Sequence, residues 1–202
     1  MQKTPQEFRR DNVKQVFDKI LQSKQIKLSP LDISVKESWK SDFTFVDICI
    51  KETIDNEDEN VHLVEEAAKG FVDGMFKACK KQYSNKHPSL NNIRLVDYQV
   101  VPKFKKKLKT MGTDAPTEIT LMVDVADHGV SEFSCVSRSI LYSSFAATLE
   151  AFQFYINCEK TFHKIQIILD DARRRNRGDI AQTCLTDLSK LTEVNTYEKN
   201  KN

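Results

Sequence analysis

The stretch IRLVDYQVVP, residues 93–102, has the alternating character of a β-strand. Two faces are predicted, with Val96, Tyr98 and Val100 on one and Ile93 and Leu95 on the other. An acid, Asp97, lies in the middle of the strand beside a tyrosine, and a lysine-rich loop follows. A strand with this polar centre can either hold the edge of a sheet or contact a ligand.

Two more strands and a helix follow this stretch. Residues 118–126 alternate cleanly between apolar and polar side chains, and residues 131–137 give a third strand after a turn signal. A broad apolar face with helical spacing then runs from Ile140 to Ile156. Residues 93–157 thus predict the order strand, strand, strand, helix.

The preceding part of the chain has the same order. Pro30 is predicted to break the chain, and strands with a period of two follow from Leu31 and near residues 42–53. An acidic loop at residues 55–60 precedes a short, weakly patterned strand near residues 61–66. Helical spacing then continues until the SNKHP segment, where proline ends the helix.

Residues 31–84 and 93–157 are therefore predicted to be an internal duplication. Each half is a small sheet with one covering helix, and neither half can bury its apolar face well alone. The halves should pack on each other, and a second copy of the chain should complete the burial. The predicted fold class is α+β, with two repeated β-β-β-α units and extra N-terminal and C-terminal helices.

The extra helices lie outside the duplicated core. A single apolar stripe predicts one helix within residues 6–23, and two further helices are predicted at 159–173 and 180–191, with Gly178 between them. The predicted organisation is an N-terminal helical extension at 1–30, a core at 31–157 and a C-terminal helical extension at 158–202.

Composition limits the class of protein. The chain has 202 residues, 30% of them charged, and a formal net charge of only +2, so nucleic acid is not the expected partner. Its five cysteines are scattered without a CxxC pair, which is typical of reduced thiols. Neither a signal peptide nor an apolar run of membrane-spanning length is evident. We expect a cytoplasmic protein without membrane association.

No catalytic set stands out in the sequence. The four histidines, His62, His87, His128 and His163, are far apart and contain no H-x-H pair. No constellation of carboxylate, histidine and cysteine residues presents itself. We therefore expect a protein that is not an enzyme by itself and that uses neither a metal nor a cofactor.

Three longer stretches carry a resemblance to a known family. They are EEAAKGFVDGMFKACKKQYSNKHPSLNNIRLVDYQVVP (residues 65–102), MGTDAPTEITLMVD (111–124) and CVSRSILYSSFAATLEAFQFYI (135–156). Together they resemble the C-terminal regulatory domain of 2-isopropylmalate synthase and the citramalate synthases, the LeuA allosteric or dimerisation domain. The LVDY and GTDA segments match motifs of that family, whereas Ala68 and Phe71 depart from its usual glycine and proline pattern at a helix start.

The resemblance implies two β-β-β-α units, a homodimer, and leucine or isoleucine bound as a feedback inhibitor where units and chains meet. In the full enzymes a catalytic barrel condenses acetyl-coenzyme A with a 2-oxo acid. That barrel is not among these residues, so a catalytic partner in cis or in trans is implied. The positions that the resemblance assigns to the effector are Gly70, Val72, Leu95, Asp97, Tyr98, Gly112, Thr113, Ala115 and Ile140.

Each assigned group has a physical role and an alternative. The Tyr98 ring can wall an apolar pocket while its hydroxyl or the Asp97 carboxylate meets an amino group, or the pair can simply hold an edge strand. Gly70 lies where a helix N-terminus suits a ligand carboxylate, although Phe71 can fill that pocket. Ser137 or Ser139 is expected to cap the second helix.

Two further interpretations remain open. The first is an oligomerisation module that has lost its ligand, which the departures at Ala68 and Phe71 favour. The second is a basic nucleic-acid-binding α+β protein, suggested by KFKKKLK at 103–109 and RRRNR at 173–177. Solvated loop and helix surface is the simpler account of both basic runs.

Overall fold

The computed structural model describes residues 4–40, 42–103 and 115–197, apart from the side chains of residues 66 and 67. The α-helices are α1 (Pro5–Leu21), α2 (Phe71–Tyr83), α3 (Ile140–Arg174) and α4 (Gly178–Thr192). The strands are β1 (Lys27–Ser38), β2 (Phe43–Ile54), β3 (Glu57–Ala68), β4 (Ile93–Pro102), β5 (Thr117–Val125) and β6 (Gly129–Ser137).

The strands form two antiparallel sheets of three, in the orders β1-β2-β3 and β4-β5-β6. Helix α2 follows the first sheet and packs on β2 and β3, while α3 follows the second and packs on β5 and β6. The prediction of an α+β fold with two repeated β-β-β-α units and added terminal helices is confirmed.

Each sheet carries a β-bulge at the same place in its first strand. The register of β1 against β2 shifts between Pro30 and Asp32, so Leu31 is the additional residue. The register of β4 against β5 shifts between Leu95 and Asp97 in the same way. The two units therefore share an irregularity as well as an order of elements.

The aspartate after each bulge makes the same local hydrogen bond. Asp32 Oδ1 accepts from the Ile33 backbone N–H at 2.9 Å, and Asp97 Oδ1 accepts from the Tyr98 N–H at 2.8 Å. Short acidic side chains commonly bond to neighbouring backbone amides where the chain leaves regular geometry. Both aspartates thus help to fix the conformation of a bulge.

Because of its bulge, β4 has different faces from the two that the sequence predicts. Ile93, Leu95 and Tyr98 all lie opposite buried residues of β5, because the additional residue Val96 breaks the period of two. Val100 lies on this face as well, opposite Ile119. The predicted division, with Ile93 and Leu95 on the other face from Tyr98, is wrong.

The first strand begins earlier than predicted. β1 starts at Lys27, so Pro30 lies inside the strand and the division between residues 30 and 31 falls within it. β1 is an edge strand and Pro30 adjoins its bulge, where a missing N–H is tolerated. Pro30 therefore does not break the chain.

The third strand is longer than the short strand predicted near residues 61–66. The chain reverses at Asp55 and Asn56, which both have positive φ, and β3 begins directly at Glu57. Asp58 accepts from Lys51 at 2.7 Å and from Thr53 at 2.6 Å across the hairpin. Residues 57–60, which were predicted to belong to an acidic loop, are therefore part of β3.

Helix α3 is one helix of 35 residues, which merges the helices predicted at 140–156 and 159–173. Neither glycine nor proline separates them, so nothing interrupts the backbone hydrogen bonding. The division predicted between residues 157 and 158 therefore falls inside α3. Its length lets it contact β5 and β6 as well as α1, α4 and β1.

Helix α3 also joins the two units through side-chain amides. Asn157 accepts from the Ile26 N–H and donates to the Ile26 carbonyl, both at 2.9 Å, and Gln153 accepts from the Leu28 N–H at 2.9 Å. These amides satisfy backbone groups at the start of β1, an edge strand. The sheet of the first unit is thereby fixed to the helix of the second.

Apolar side chains from both units form one core. Its largest fully buried members include Phe133, Phe145, Phe152 and Tyr155 of the second unit, and Ile48 and Ile50 of the first. Phe76 of α2 packs against Phe152 of α3 with ring centroids 5.0 Å apart. Over the ranges that the structure describes, no helix combines the length and apolar character required to cross a bilayer.

Candidate functional site

Tyr98 of β4 lies where the helices of both units begin. Its ring meets the edge of Phe71, the first residue of α2, with centroids 6.3 Å apart and planes at 87°. Its hydroxyl oxygen is 3.1 Å from Oγ of Ser144, in the second turn of α3. One side chain therefore connects the N-terminal ends of α2 and α3.

The direction of the hydrogen bond at Tyr98 follows from its partner. Ser144 Oγ also lies 2.7 Å from the Ile140 carbonyl oxygen, which can only accept, so Ser144 donates its one proton there. Tyr98 must then donate its own proton to Ser144. The phenol oxygen keeps its lone pairs and is free to accept from a third group, such as an ammonium.

Serine hydroxyls organise the start of α3. Ser139 is the N-cap, and its Oγ accepts from the Tyr142 N–H at 3.2 Å, which confirms the predicted capping role. Ser137 Oγ donates to the Ser139 carbonyl at 2.8 Å and lies 2.6 Å from Ser143 Oγ. Most of the polar groups at this helix start are therefore committed to local bonds.

The start of α2 is more open. Gly70 is the N-cap, has extended backbone geometry and provides no side-chain cap. A Cβ added at Gly70 would meet nothing within 4 Å, so the space beside the first turn is empty. Asp73 accepts from the Lys69 N–H at 3.3 Å and pairs with Lys77 at 2.7 Å. There is thus room beside Gly70, and the Asp73 carboxylate already lies near the positive end of the α2 dipole.

The structure brings some of the predicted residues together. Leu95 is half-buried on the same face of β4 as Tyr98, and Ile140 is 44% exposed at the start of α3. Gly70 precedes Phe71, whose ring contacts Tyr98. These positions belong to β4 and to the starts of α2 and α3, the three elements that Tyr98 connects.

Other predicted residues lie elsewhere. Val72 is buried in the core, and exposed Asp97 precedes Tyr98 in the strand, so its carboxylate lies on the opposite face from the Tyr98 ring. Ala115 is half-buried just before β5, while Gly112 and Thr113 lie outside the described residues.

Two contacts of Tyr98 were not assigned from the sequence. The sequence predicts Phe71 only as a filler of the pocket, and it predicts no ligand or tyrosine contact for Ser144. A serine in the helix interior, one turn after Ile140, was the available signal for the second. Neither the ring contact nor the direction of the hydroxyl proton can be read from spacing alone.

Exposed apolar side chains surround this end of the second unit. The strand ends Pro102, Thr117 and Ser137 are aligned, and α3 begins immediately afterwards. The exposed apolar residues here are Val100, Val101, Val136, Ile140, Leu141 and Tyr142. We call these six residues the apolar rim. Clustered exposed apolar residues mark interaction surfaces more often than isolated ones do.

The basic runs are largely neutralised where they are described. Arg175 pairs with Asp171 and Arg177 with Asp179, both at 3.1 Å, and Lys103 pairs with Glu118 at 2.6 Å. The rest of the run at 103–109 lies outside the described residues. Within the described ranges, no three His, Cys, Asp or Glu side chains are grouped as metal ligands.

No protein-family model and no curated protein matches the sequence. The fold itself defines the class, an α+β protein built from two β-β-β-α units with one tyrosine between their helix starts.

Proposed function

We propose that this protein is a cytoplasmic regulatory and dimerisation module, similar to the C-terminal domain of 2-isopropylmalate and citramalate synthases. Its effector would be leucine or isoleucine, in feedback control of branched-chain amino-acid biosynthesis. The observation that carries the proposal is Tyr98, whose phenol oxygen has free lone pairs beside the open start of α2.

A zwitterionic amino acid suits the chemistry of this place. Its ammonium can donate to the Tyr98 phenol oxygen, and its carboxylate can occupy the space beside Gly70 at the positive end of α2. Half-buried Leu95 and exposed Ile140 offer apolar surface for a branched side chain. The three parts of the ligand thus each have a matching group.

A second copy of the chain is the proposed partner. The apolar rim leaves six apolar side chains in water, and an identical surface on a twofold-related chain would cover those that share one face. An effector next to this seam would bind one packing of the dimer better than another. The module would pass that shift to a catalytic barrel in cis or in trans, without performing chemistry itself.

An oligomerisation module without a ligand is the second candidate. Phe71 favours it, since its ring already contacts Tyr98 where a smaller residue would leave more room. The two candidates differ in a single property, which is whether a free amino acid stabilises the folded protein.

Thermal unfolding with leucine, isoleucine or valine tests this proposal. An effector at ~100 times its Kd should stabilise the native state by about 2.7 kcal/mol. Tyr98→Phe keeps the ring and removes the acceptor oxygen, so it should weaken binding about tenfold or more. Tyr83→Phe removes the hydroxyl of a tyrosine at the other end of α2 that donates to Glu52, and this matched control should leave the stabilisation by the amino acid intact.

The thermal-unfolding test distinguishes the two candidate functions. Absence of a shift with all three amino acids would leave the oligomerisation module as the better account. A shift that survives Tyr98→Phe unchanged would place the effector elsewhere.

A further inference from the structure

An apolar cavity of about 210 Å³, open to solvent on one side, lies between α1, α3 and α4, remote from Tyr98. Its apolar wall consists of Ile20, Ile165, Ile168, Ile180 and Cys184. Ile165 is 21 residues beyond Ser144 in the same helix, which corresponds to roughly 30 Å along the axis. The cavity belongs to the helical extensions and shares no residue with the candidate effector site.

The polar part of the cavity is an ion pair. Asp187 of α4 has a side chain only 9% exposed, and its Oδ2 lies 3.1 Å from Nζ of Lys19 in α1. Lys190 approaches the other carboxylate oxygen at 3.4 Å. The Lys19 side chain is 59% exposed, so its ammonium can move into water at little cost. The carboxylate is therefore fixed in the wall, whereas its main cationic partner is replaceable.

The size of the cavity limits the ligand. An apolar cavity of about 150 Å³ in another protein holds benzene, so this one accommodates a molecule of about six to eight non-hydrogen atoms. Three walls of branched isoleucine side chains favour a compact aliphatic body. A drug-sized molecule would extend beyond it into solvent and bury only part of its surface.

The charge of the cavity selects the polar group of the ligand. An ammonium can replace that of Lys19 at Asp187 without changing the local charge. A carboxylate would place a second negative charge beside one that is already buried, which is costly. A neutral hydroxyl could bond to Asp187 but would not neutralise it.

We propose that this cavity is a binding site for a small branched aliphatic amine, with the ammonium on Asp187 and the aliphatic body among the isoleucines. The site stands independently of the proposed effector site. Cys184 adds a reporter, because its thiol lines the cavity and a bound ligand would shield it from alkylation.

The test is a ligand-observed NMR titration of the full chain at pH 7 with 3-methylbutylamine. We expect saturable binding with a Kd between about 0.1 and 10 mM, as suits a ligand of about six heavy atoms. The neutral isostere 3-methylbutanol should bind about tenfold more weakly, and 3-methylbutanoate should show no saturable binding.

Two neighbouring isoleucines give a matched pair of variants. Ile168→Phe fills the cavity and should abolish amine binding, whereas Ile167→Phe changes a side chain that is 66% exposed and should leave it unchanged. Asp187→Asn removes the charge without filling the space and should reduce amine affinity to that of the alcohol. Circular dichroism establishes that each variant folds, and Asp187→Asn serves if Ile168→Phe does not.

Three results would overturn the proposal. They are the lack of saturable amine binding to the wild-type protein, equal binding of the carboxylate, and amine affinity that is unchanged in either cavity variant. The first would identify the cavity as a packing void.

Discussion

The two β-β-β-α units share a bulge and its aspartate, yet they differ in the residue that follows. The first unit has Ile33 after Asp32, and the second has Tyr98 after Asp97. Ile33 packs against the core, while the Tyr98 hydroxyl reaches a serine of α3. The scaffold is thus duplicated, but the polar contact at this position is made in one copy only.

The helix starts differ in a complementary way. In the second unit Ser139 caps α3 through its hydroxyl, whereas in the first Gly70 leaves the start of α2 without a side-chain cap. The open helix start of one unit therefore faces the tyrosine of the other. The proposed effector site would therefore draw on both units.

The central strands offer the strongest test of how closely the units are coupled. Ile48 of β2 pairs with Ile33, and Leu121 of β5 pairs with Tyr98, and both central residues are fully buried. Ile48→Ala and Leu121→Ala should each cost about 3 kcal/mol, with the same single unfolding transition. Urea denaturation followed by circular dichroism measures both.

Val64→Ala, at an exposed valine of β3, is the control and should change stability by less than about 0.5 kcal/mol. Two separate transitions, with only one of them shifted by each variant, would mean that the units fold independently.

The side-chain amide of Asn157, which joins the units, should have the second-largest effect on stability. Asn157→Ala leaves the Ile26 N–H and carbonyl without their partner in a buried setting, and we expect a loss of about 2–3 kcal/mol. Gln153→Ala removes one bond from a less buried position and should cost about 1 kcal/mol. Equal losses from both variants would contradict the importance assigned to the Asn157 pair.

His87, in the segment between α2 and β4, should make the stability of the folded protein depend on pH. Burial, reinforced by Lys160, Lys86 and His163, lowers the pKa of His87 to about 4. Glu159 lies 3.9 Å from His87 Nδ1, too far for a hydrogen bond that would offset burial. Because the unfolded imidazole titrates near its ordinary pKa of about 6.5, unfolding takes up about one proton between these values.

Stability should therefore fall as the pH is lowered from about 6.5 to 4, and His87→Gln should remove this part of the dependence. Urea midpoints measured at several pH values give the slope. An unchanged slope in the variant would exclude His87 as the group responsible.

Substitution of the bulge aspartates should have the smallest effect on stability, and it compares equivalent positions of the two units directly. Asp32→Ala and Asp97→Ala each remove an acceptor for one exposed backbone amide, so each should cost about 0.5–1 kcal/mol. Similar losses, again from urea denaturation, would show that the two bulges are equivalent. A loss more than threefold larger at one site would show that only that aspartate has a further structural role.

Much of the fold could be predicted because hydrophobic periodicity reports which face of an element is buried. The alternation in β5 and the helical spacing in α2 follow directly from this rule. A bulge adds one residue and reverses the pattern without changing composition, so the faces of β4 were misassigned. The helix boundary predicted near residues 157 and 158 is also wrong, because neither glycine nor proline interrupts α3 there.

The site was less accessible to prediction than the fold. Tyr98 was found through the LVDY segment, but its surroundings depend on which helix starts the tertiary packing brings together. The alternation of a strand already places Asp97 on the opposite face from Tyr98. The contact with Ser144, 46 residues away, depends on tertiary packing, and sequence spacing does not report it.

Native mass spectrometry of the full chain with leucine and isoleucine tests the central claim most directly, because it counts chains and bound ligands together. We expect a dimer that carries bound leucine or isoleucine in the wild-type protein and loses it in Tyr98→Phe. A monomer that retains neither amino acid at millimolar concentration would contradict it.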